Sequence, residues 1–217
     1  MKDEPVSNDS RTAGLILCGG RSSRMGGGDK CLSPLGQGTI LSSVIQRIEP
    51  QVRRLAVSAN GDPARFGAFG LPVLPDTLPG YQGPLAGILA GLRWCAAIDG
   101  CDTMLSAAGD TPFPPRDLLQ MLGSAGARNS RQIAVAASGG RIHPVFALWP
   151  VAIADALEDF LTRTEDRRVT GFLEAAGFLV VDFPQSPPDD QPSDPFFNVN
   201  RPEDLVAAER IAEGVHT

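Results

Sequence analysis

The chain has 217 residues, of which 42% are hydrophobic and 20% are charged, as is typical of a folded globular protein rather than a disordered one. Its net charge of −6 argues against a broad basic surface for long nucleic acid. No apolar run reaches the ~18 residues of a membrane span, and the polar N-terminal stretch lacks the apolar core of a secretory signal. We therefore expect a cytoplasmic protein without nucleic-acid or membrane partners.

Short apolar runs alternate with amphipathic stretches along the chain. In chain order, these patterns predict strand 13–18, helix 39–48, strands 55–59 and 71–74, helix 84–97, strand 103–108, helix 115–122, strands 133–137 and 145–149, helices 151–161 and 165–176, strand 179–183 and helix 202–213. This alternation favours an α/β fold of three layers, in which a mostly parallel central sheet is covered by helices on both faces.

The chain shows no internal repeat and no clear linker between domains. We interpret residues 1–12 as a polar tail and residues 13–217 as a single domain. Residues 183–195, FPQSPPDDQPSDP, are rich in proline and aspartate. We interpret them as a solvent-exposed loop, with a lid over the functional site as the alternative.

Ligands of such sheets bind beyond the carboxyl ends of the strands. Two candidate segments leave such ends, namely the glycine-rich loop after strand 13–18 and Asp110 after strand 103–108. Residues 15–32 of the loop segment read LILCGGRSSRMGGGDKCL. Its five glycines let backbone N–H groups approach a polyphosphate, and Arg24 and Lys30 supply cations for phosphoryl oxygens. The sequence therefore predicts a phosphate-binding loop at this edge of the sheet.

Two well-known phosphate loops do not match this segment. The G-x-x-x-x-G-K-[ST] spacing is absent, and Cys31 stands where the magnesium-binding hydroxyl would follow the lysine. The dinucleotide pattern G-x-G-x-x-G does not occur at the end of this strand either. Histidine-based chemistry is also disfavoured. The chain has two histidines, and one of them, His216, is the penultimate residue. A catalytic triad or a His-rich metal centre would therefore depend on His143 alone. We interpret His143 as structural, and the four cysteines, which lack C-x-x-C spacing, as cytosolic thiols.

The loop resembles the signature of nucleotidyltransferases with a glycosyltransferase-A-like Rossmann sheet. Within that group it is most similar to the molybdenum cofactor guanylyltransferases, the MobA family, whose pattern runs L-A-G-G-x-x-x-R-M-G-G-x-D-K-x-L. Cys18 departs from it, since the family has alanine there. Further strings match in the family's order over most of the chain, namely VSAN (57–60), LPDTLPGYQGPLAG (74–87), GDTPFPP (109–115), HPVFAL (143–148) and FNVNRPEDL (197–205). The resemblance implies a Rossmann-like nucleotidyltransferase fold.

The resemblance also implies roles for the residues at matching positions. Lys30 would neutralise charge around the α-phosphate, and Arg24 would hold the outer phosphates. Asp110 would bind Mg²⁺, which favours one or two carboxylates together with phosphate oxygens. We predict these three residues to be catalytic. The predicted nucleotide-binding residues are Leu17, Cys18, Gly19, Gly20, Lys30, Asn60, Asp76 and Asp110.

Several of these assignments have purely structural alternatives. Lys30 and Arg24 also fit solvated loop charges, and Asp110 also fits a cap or turn before Thr111-Pro112. Asp76 and Asn60 each stand where a turn is expected, because Asn-Gly is a common turn signal. The same alternatives apply to the glycine-rich run GPLAG at 83–87, which either starts a tightly packed helix or lies against the base and selects purines. These two interpretations are compatible.

Asn198 and Asn200 are the predicted substrate-binding residues, because related enzymes place an asparagine of this segment near the metal and the acceptor. They precede Pro202, and two acidic residues in the following turn suit the helix dipole. A helix start would therefore account for this segment without any ligand.

The implied reaction transfers GMP from GTP to the terminal phosphate of Mo-molybdopterin, forming the molybdopterin guanine dinucleotide cofactor and pyrophosphate. An alkyl phosphate has a second pKa of about 6, so the nucleophile is ionised at neutral pH and needs no strong general base. Mg²⁺ is the implied cofactor, and molybdoenzyme apoproteins or cofactor chaperones are further candidate partners of a monomer. The alternatives are a CTP-dependent molybdopterin cytidylyltransferase, a more distant sugar-phosphate nucleotidyltransferase, or a non-catalytic nucleotide- or cofactor-binding module. The cytidylyltransferases typically show A-A-G in place of residues 18–20 and lack GPLAG.

Overall fold

The computed structural model describes residues 11–19, 29–78, 80, 83–126, 132–184 and 194–212. The predicted site residues Gly20 and Arg24 lie outside the described residues. So do residues 1–10 of the predicted tail and residues 185–193 of the proline- and aspartate-rich segment.

The described elements follow the predicted order of strands and helices. The strands are β1 (Thr12–Leu17), β2 (Pro34–Leu35), β3 (Gly38–Thr39), β4 (Arg54–Ser58), β5 (Val73–Leu74), β6 (Thr103–Ala108), β7 (Ile133–Ser138), β8 (Arg141–Pro150) and β9 (Phe178–Asp182). The α-helices are α1 (Ile40–Ile48), α2 (Pro84–Ala96), α3 (Leu118–Gly126), α4 (Ala154–Arg163), α5 (Val169–Ala176) and α6 (Pro202–Ala212). None of these helices has the length and hydropathy that a membrane crossing requires.

Within the described ranges, seven strands form a central sheet in the order β5-β4-β1-β6-β8-β7-β9. Strand β8 runs antiparallel to both of its neighbours, whereas the other adjacent pairs are parallel. The reversal begins at Gly139 and Gly140, whose φ angles of +55° and +77° allow a two-residue hairpin turn. The predicted mostly parallel sheet is confirmed, although β8 starts at Arg141 rather than at 145.

Helices cover both faces of the sheet, as predicted. Successive residues of β1 point to opposite faces. Leu15 belongs to the apolar cluster that contains residues of α2, α4 and α5, and Ile16 to the cluster that contains residues of α1 and α3. Both side chains are fully buried. The central strand is therefore apolar on both sides, which is typical of a parallel sheet between two helical layers.

Local side-chain chemistry sets where the helices begin. Thr39 caps α1, because its hydroxyl accepts a hydrogen bond from the Ser42 N–H and the Ser42 side chain bonds back to Thr39. The predicted helix 165–176 begins later, at Val169, because the Asp166 carboxylate accepts the Arg168 N–H at 2.9 Å and holds a turn there.

Helix α3 begins at Leu118 rather than at residue 115. The preceding segment contains Pro112, Pro114 and Pro115, and a proline disfavours helical backbone at the residue before it. The helix predicted at 151–161 is likewise resolved into a 3-10 turn, Val151–Ile153, followed by α4.

A third, smaller apolar group joins the end of the chain to the hairpin of β2 and β3. This group contains Leu35 of the hairpin, Ile40 at the start of α1, Phe113, Val199 and, from α6, Ala208. The hairpin was not predicted, because two-residue strands carry no periodicity. This packing brings the segment before α6 next to the end of β6, where Asp110 lies.

Candidate active site

The carboxyl ends of three central strands lie side by side. Leu17 of β1 is in register with Ser58 of β4 on one side and with Ala108 of β6 on the other. The residues that follow these strands therefore emerge at one edge of the sheet, where α/β sheets bind ligands. Asp110 and the start of the glycine-rich loop share this edge, as the sequence predicted.

Lys30 bridges two oxygen atoms at this edge. It begins the 3-10 helix Lys30–Leu32, and its Nζ donates to Oδ2 of Asp110 at 2.8 Å and to Oδ1 of Asn200 at 2.6 Å. The side chains of Lys30 and Asp110 are 15% and 29% exposed, so their charges are only partly screened by water. Three segments that are remote in sequence thus meet at one ammonium group.

Main-chain hydrogen bonds hold the two acceptors in place. The Val199 N–H donates to the Asp110 carbonyl at 2.9 Å, which fixes the segment before α6 against the end of β6. The Asp204 carboxylate accepts the N–H groups of Asn200 and Arg201, both at 2.8 Å. The segment is therefore a helix start, and it also delivers the Asn200 amide to Lys30. Asn198 is exposed and lies in the same segment, where it stays a predicted substrate-binding residue.

Asn60 and Asp76 form a second pair at this edge, after β4 and β5. The Asn60 Nδ2 donates to Oδ2 of Asp76 at 2.8 Å, and the Asp76 N–H donates to Oδ1 of Asn60 at 2.9 Å. The sequence predicted both residues separately, and the structure joins them. Their nucleotide contact stays a prediction, because these bonds also fulfil the turn-forming alternative.

Leu17, Cys18 and Gly19 form the start of the predicted nucleotide loop. The Cys18 N–H donates to the Ser58 carbonyl and the Leu17 carbonyl accepts from Gly109, each at 2.9 Å. These two backbone groups extend the sheet and are not directed at a ligand. Gly19 is exposed, and a Cβ on it would have no atom within 4 Å. Any backbone contact of these residues with a nucleotide would therefore use their remaining groups.

Cys18, which replaces the family's alanine, is accommodated by a glycine. A Cβ on Gly109 would stand 2.6 Å from the Cys18 Sγ and 3.1 Å from the Leu17 carbonyl oxygen, so no larger residue fits there. A hydrogen bond with Cys31 and burial raise the pKa of the Cys18 thiol well above its ordinary value. Cys18 therefore stays protonated at neutral pH and acts as a packing group.

The GPLAG run packs closely under the same edge. Gly83 precedes α2 with a φ of +145°, and Pro84 is the first residue of the helix. A Cβ on Gly87 would collide with the Ser58 hydroxyl and lie 3.0 Å from Cδ2 of Leu17. The packing interpretation of this run is confirmed, and its contact with a base stays a prediction.

Sequence reasoning missed an arginine that connects these groups. Arg65 Nε lies 2.5 Å from Oδ2 of Asp29, and its Nη2 donates to the Asn60 carbonyl at 2.5 Å. Asp29 was visible as part of the matched D-K pair of the loop signature. Arg65 belongs to the 3-10 helix Pro63–Phe69, and nothing in the sequence around it marks its partner.

His143 is held by a polar group at the end of β7 and by an aromatic ring. Its Nε2 lies 2.8 Å from the Ser138 hydroxyl, which also donates to the Asp194 carboxylate at 3.1 Å. The ring stacks on Phe196 with centroids 4.3 Å apart. Burial lowers the pKa of His143, so the neutral ring is favoured. These contacts support the structural interpretation of this residue.

The described residues contain no group of three or more His, Cys, Asp or Glu side chains arranged to hold a metal ion. One carboxylate and one amide oxygen, from Asp110 and Asn200, converge on the Lys30 ammonium. Hard oxygen donors of this kind suit Mg²⁺ when substrate phosphates supply further ligands. The donor set therefore fits an ion that is bound with a nucleotide and not one held by protein alone.

Known proteins resemble this chain over nearly its whole length. The profile of the MobA-like NTP transferase domain matches residues 14–177. A molybdenum cofactor guanylyltransferase from Mesorhizobium japonicum is 51% identical and covers 94% of this chain and 97% of its own.

Solved structures share the fold. Molybdopterin-guanine dinucleotide biosynthesis protein A from Archaeoglobus fulgidus aligns with a TM-score of 0.69 at 23% identity, over 93% of this chain and 98% of its own. The 4-diphosphocytidyl-2C-methyl-D-erythritol synthase from Anaerococcus prevotii aligns with a TM-score of 0.67 at 12% identity, over 93% of this chain and 96% of its own. The edge geometry, the domain profile and the close relatives agree, and the chain belongs to the MobA-like NTP transferases, within the molybdenum cofactor guanylyltransferase family.

Proposed function

We propose that the chain transfers GMP from GTP to the terminal phosphate of Mo-molybdopterin and releases pyrophosphate. In this reaction an acceptor phosphate oxygen forms a bond to the α-phosphorus of GTP, and the bond from that phosphorus to the β-phosphate bridging oxygen breaks. The observation that carries the proposal is the Lys30 ammonium between Asp110 and Asn200 at the carboxyl edge of the sheet.

Lys30 is suited to lower the repulsion between two phosphates. An ammonium group has three N–H donors, and two of them are directed at Asp110 and Asn200. The third can be donated to a phosphoryl oxygen at the reacting centre. Because a phosphate monoester is already ionised at neutral pH, positioning and charge neutralisation are the main tasks, and no general base is required.

Asp110 is the residue that we propose as the protein ligand of Mg²⁺, with the Asn200 amide oxygen beside it. The ion, when bound, neutralises charge on the phosphates and on the leaving pyrophosphate. Lys30 contacts one carboxylate oxygen of Asp110, Oδ2, so the carboxylate has a second oxygen for a further cation.

The preference for GTP over CTP is supported by the relatives and not by the fold. The close relatives, at 44–51% identity, carry the name molybdenum cofactor guanylyltransferase. The fold itself is shared with a cytidylyl-type enzyme at a similar TM-score, so the sheet alone does not select a base. The GPLAG run, which we propose lies against guanine, is the segment in which this selection would reside.

Turnover with each of the four nucleoside triphosphates and purified metal-loaded molybdopterin tests the substrate. We expect pyrophosphate release with GTP and at most weak release with CTP. Equal turnover of the two nucleotides would contradict guanylyl transfer.

Asp110→Asn tests the site with the same assay. We expect it to reduce turnover about 100-fold or more, because one charged partner of the reacting groups is lost. Asp117→Asn is the matched control, because Asp117 is exposed just before α3. Normal turnover of Asp110→Asn would remove Asp110 from the mechanism.

The remaining assignments stay predictions from the sequence. They are the monomeric state, the cytoplasmic location, delivery of product to molybdoenzyme apoproteins or cofactor chaperones, and the single domain at 13–217. Arg24 and Gly20 keep their predicted roles in phosphate and nucleotide binding.

A further inference from the structure

Arg65 contacts residues on both sides of the candidate site. Its Nε forms an ion pair with Asp29 at 2.5 Å, and its Nη2 donates to the Asn60 carbonyl at 2.5 Å. Its guanidinium carbon lies 4.9 Å from the centroid of the buried Phe66 ring. One guanidinium therefore combines an ion pair that lacks hydrogen-bond alignment, a hydrogen bond and a contact with an aromatic ring.

The backbone next to Arg65 leaves room for this arrangement. A Cβ on Gly61 would stand 2.9 Å from Nη1 of Arg65, and Gly61 has a φ of +87° that favours glycine. Asp62 starts the 3-10 helix by accepting the Ala64 N–H at 2.9 Å, which sets the direction in which Arg65 leaves the backbone. The side chain is 30% exposed, so its charge is only partly screened by water.

The two partners of Arg65 each adjoin a predicted substrate-binding group. Asp29 directly precedes Lys30, and its carbonyl accepts the Leu32 N–H at 2.9 Å, which forms the turn that carries Lys30. Asn60 is bonded twice to Asp76. A continuous series of contacts therefore runs from Lys30 through Asp29 and Arg65 to Asn60 and Asp76.

Asp29 also poses an electrostatic problem that Arg65 answers. Its carboxylate is 21% exposed and stands one residue from the lysine that faces the phosphates. An unpaired carboxylate at this position would repel a triphosphate and compete for Lys30. The ion pair offsets that negative charge and holds the carboxylate against the Arg65 guanidinium.

We propose that Arg65 is a positioning residue that links Lys30 to the Asn60–Asp76 pair and neutralises Asp29 beside the bound triphosphate. The proposal rests on the proposed function, since it assumes that Lys30 faces the triphosphate of a nucleotide. Arg65 itself need not touch the substrate. Its loss should weaken nucleotide binding more than it slows the transfer step.

The test is a double-mutant cycle of Arg65→Gln and Asp29→Asn, read as KM for GTP and kcat. We expect Arg65→Gln to raise KM for GTP roughly tenfold, as contacting residues commonly couple at that level, with a smaller change in kcat. Adding Asp29→Asn to Arg65→Gln should restore most of the affinity, because the unpaired carboxylate is then gone. Arg65→Lys should fall between, since it keeps the charge but cannot hold Asp29 and Asn60 together.

The matched control is Arg93→Gln. Arg93 pairs with Asp155 and Glu158, and it lies nine residues into α2, roughly 14 Å along the helix from its first residue. We expect no change in KM for GTP. High ionic strength should reduce the deficit of Arg65→Gln, because screening weakens the repulsion by Asp29.

A readout without turnover separates this proposal from the proposed function. The Asp76 N–H donates to Asn60, so its hydrogen exchange, measured by NMR, should accelerate in Arg65→Gln and not in Arg93→Gln. If the wild-type chain transferred no nucleotide, the proposed function would fail and the exchange measurement would still decide the linking role. An additive cycle, or an unchanged KM together with unchanged Asp76 exchange, would overturn the proposal. If Arg65→Gln did not fold, Arg65→Lys and Asp29→Asn would supply the same comparison.

Discussion

Replacing Lys30 with methionine removes the central cation of the site while keeping an unbranched side chain of similar length. Two hydrogen bonds are lost, one to the Asp110 carboxylate at 2.8 Å and one to the Asn200 amide at 2.6 Å. Because these bonds also join three segments that are remote in sequence, the substitution should affect both the free energy of unfolding and catalysis. The two effects have different sizes and respond differently to a second substitution.

The loss of stability follows from the burial of the pair. Breaking a fully buried ion pair costs about 3–5 kcal/mol. Here the side chains are 15% and 29% exposed, so water replaces part of the lost partner. We therefore expect a decrease of about 1–2 kcal/mol in the free energy of unfolding, which corresponds to a melting temperature lower by about 4 °C for a chain of this size.

The catalytic loss should be larger. Removing one preorganised donor to developing charge typically costs about 100- to 1,000-fold in rate, so kcat for pyrophosphate release should fall in that range. The double variant Lys30→Met/Asp110→Asn should regain much of the stability, since no carboxylate is left unpaired. It should regain no activity.

Thermal unfolding and pyrophosphate release, measured on the same preparations, check these expectations. Arg54→Met is the control, because Arg54 is exposed at the first residue of β4. It therefore lies at the amino end of that strand, opposite to the end at which the site lies. Should Lys30→Met retain wild-type turnover, or should the double variant recover activity along with stability, the assignment of Lys30 to the reacting centre would be refuted.

Two further predictions concern stability. Ser106→Ala should lower the free energy of unfolding by about 2 kcal/mol, because the buried indole N–H of Trp149 donates to the Ser106 hydroxyl at 2.7 Å and would lose this acceptor. Thermal unfolding should show no such loss for Ser124→Ala, at an exposed position. Equal effects of the two substitutions would contradict the reasoning. Burial lowers the pKa of His143 below its ordinary value of 6.5. On acidification the unfolded chain therefore binds a proton at a higher pH than the folded chain does, and the free energy of unfolding should decrease as the pH falls through 6.5. NMR titration checks this, and a His143 pKa above 6.5 would contradict it.

Much of the fold could be predicted from local patterns. Strand β6 has the predicted bounds, and β1 and β4 differ by one residue at each end. Such strands are readable because both of their faces are buried and their apolar runs are continuous. The predicted start of a helix was wrong where a side-chain hydrogen bond decides it, as at Asp166 before α5. Such a start depends on one hydrogen bond rather than on apolar periodicity.

The candidate site was predictable in part. Lys30 and Asp110 stand out because each follows a buried strand or its loop, and the structure joins them at 2.8 Å. Asn200 was predicted as a substrate-binding residue and also contacts Lys30, 170 positions away. Arg65 was not predicted, since its partner Asp29 belongs to another part of the chain.

The sequence by itself determined which residues enter the core, and it predicted a phosphate-binding loop and the edge of the sheet at which chemistry is expected. These properties are local, because they depend on apolar periodicity and on residue types adjacent in the chain. Only the tertiary structure decided that β8 pairs with β6, that the segment before α6 returns to Asp110, and that Arg65 pairs with Asp29. Contacts of this kind depend on how distant segments pack together, and no local pattern records the partner of a long-range contact.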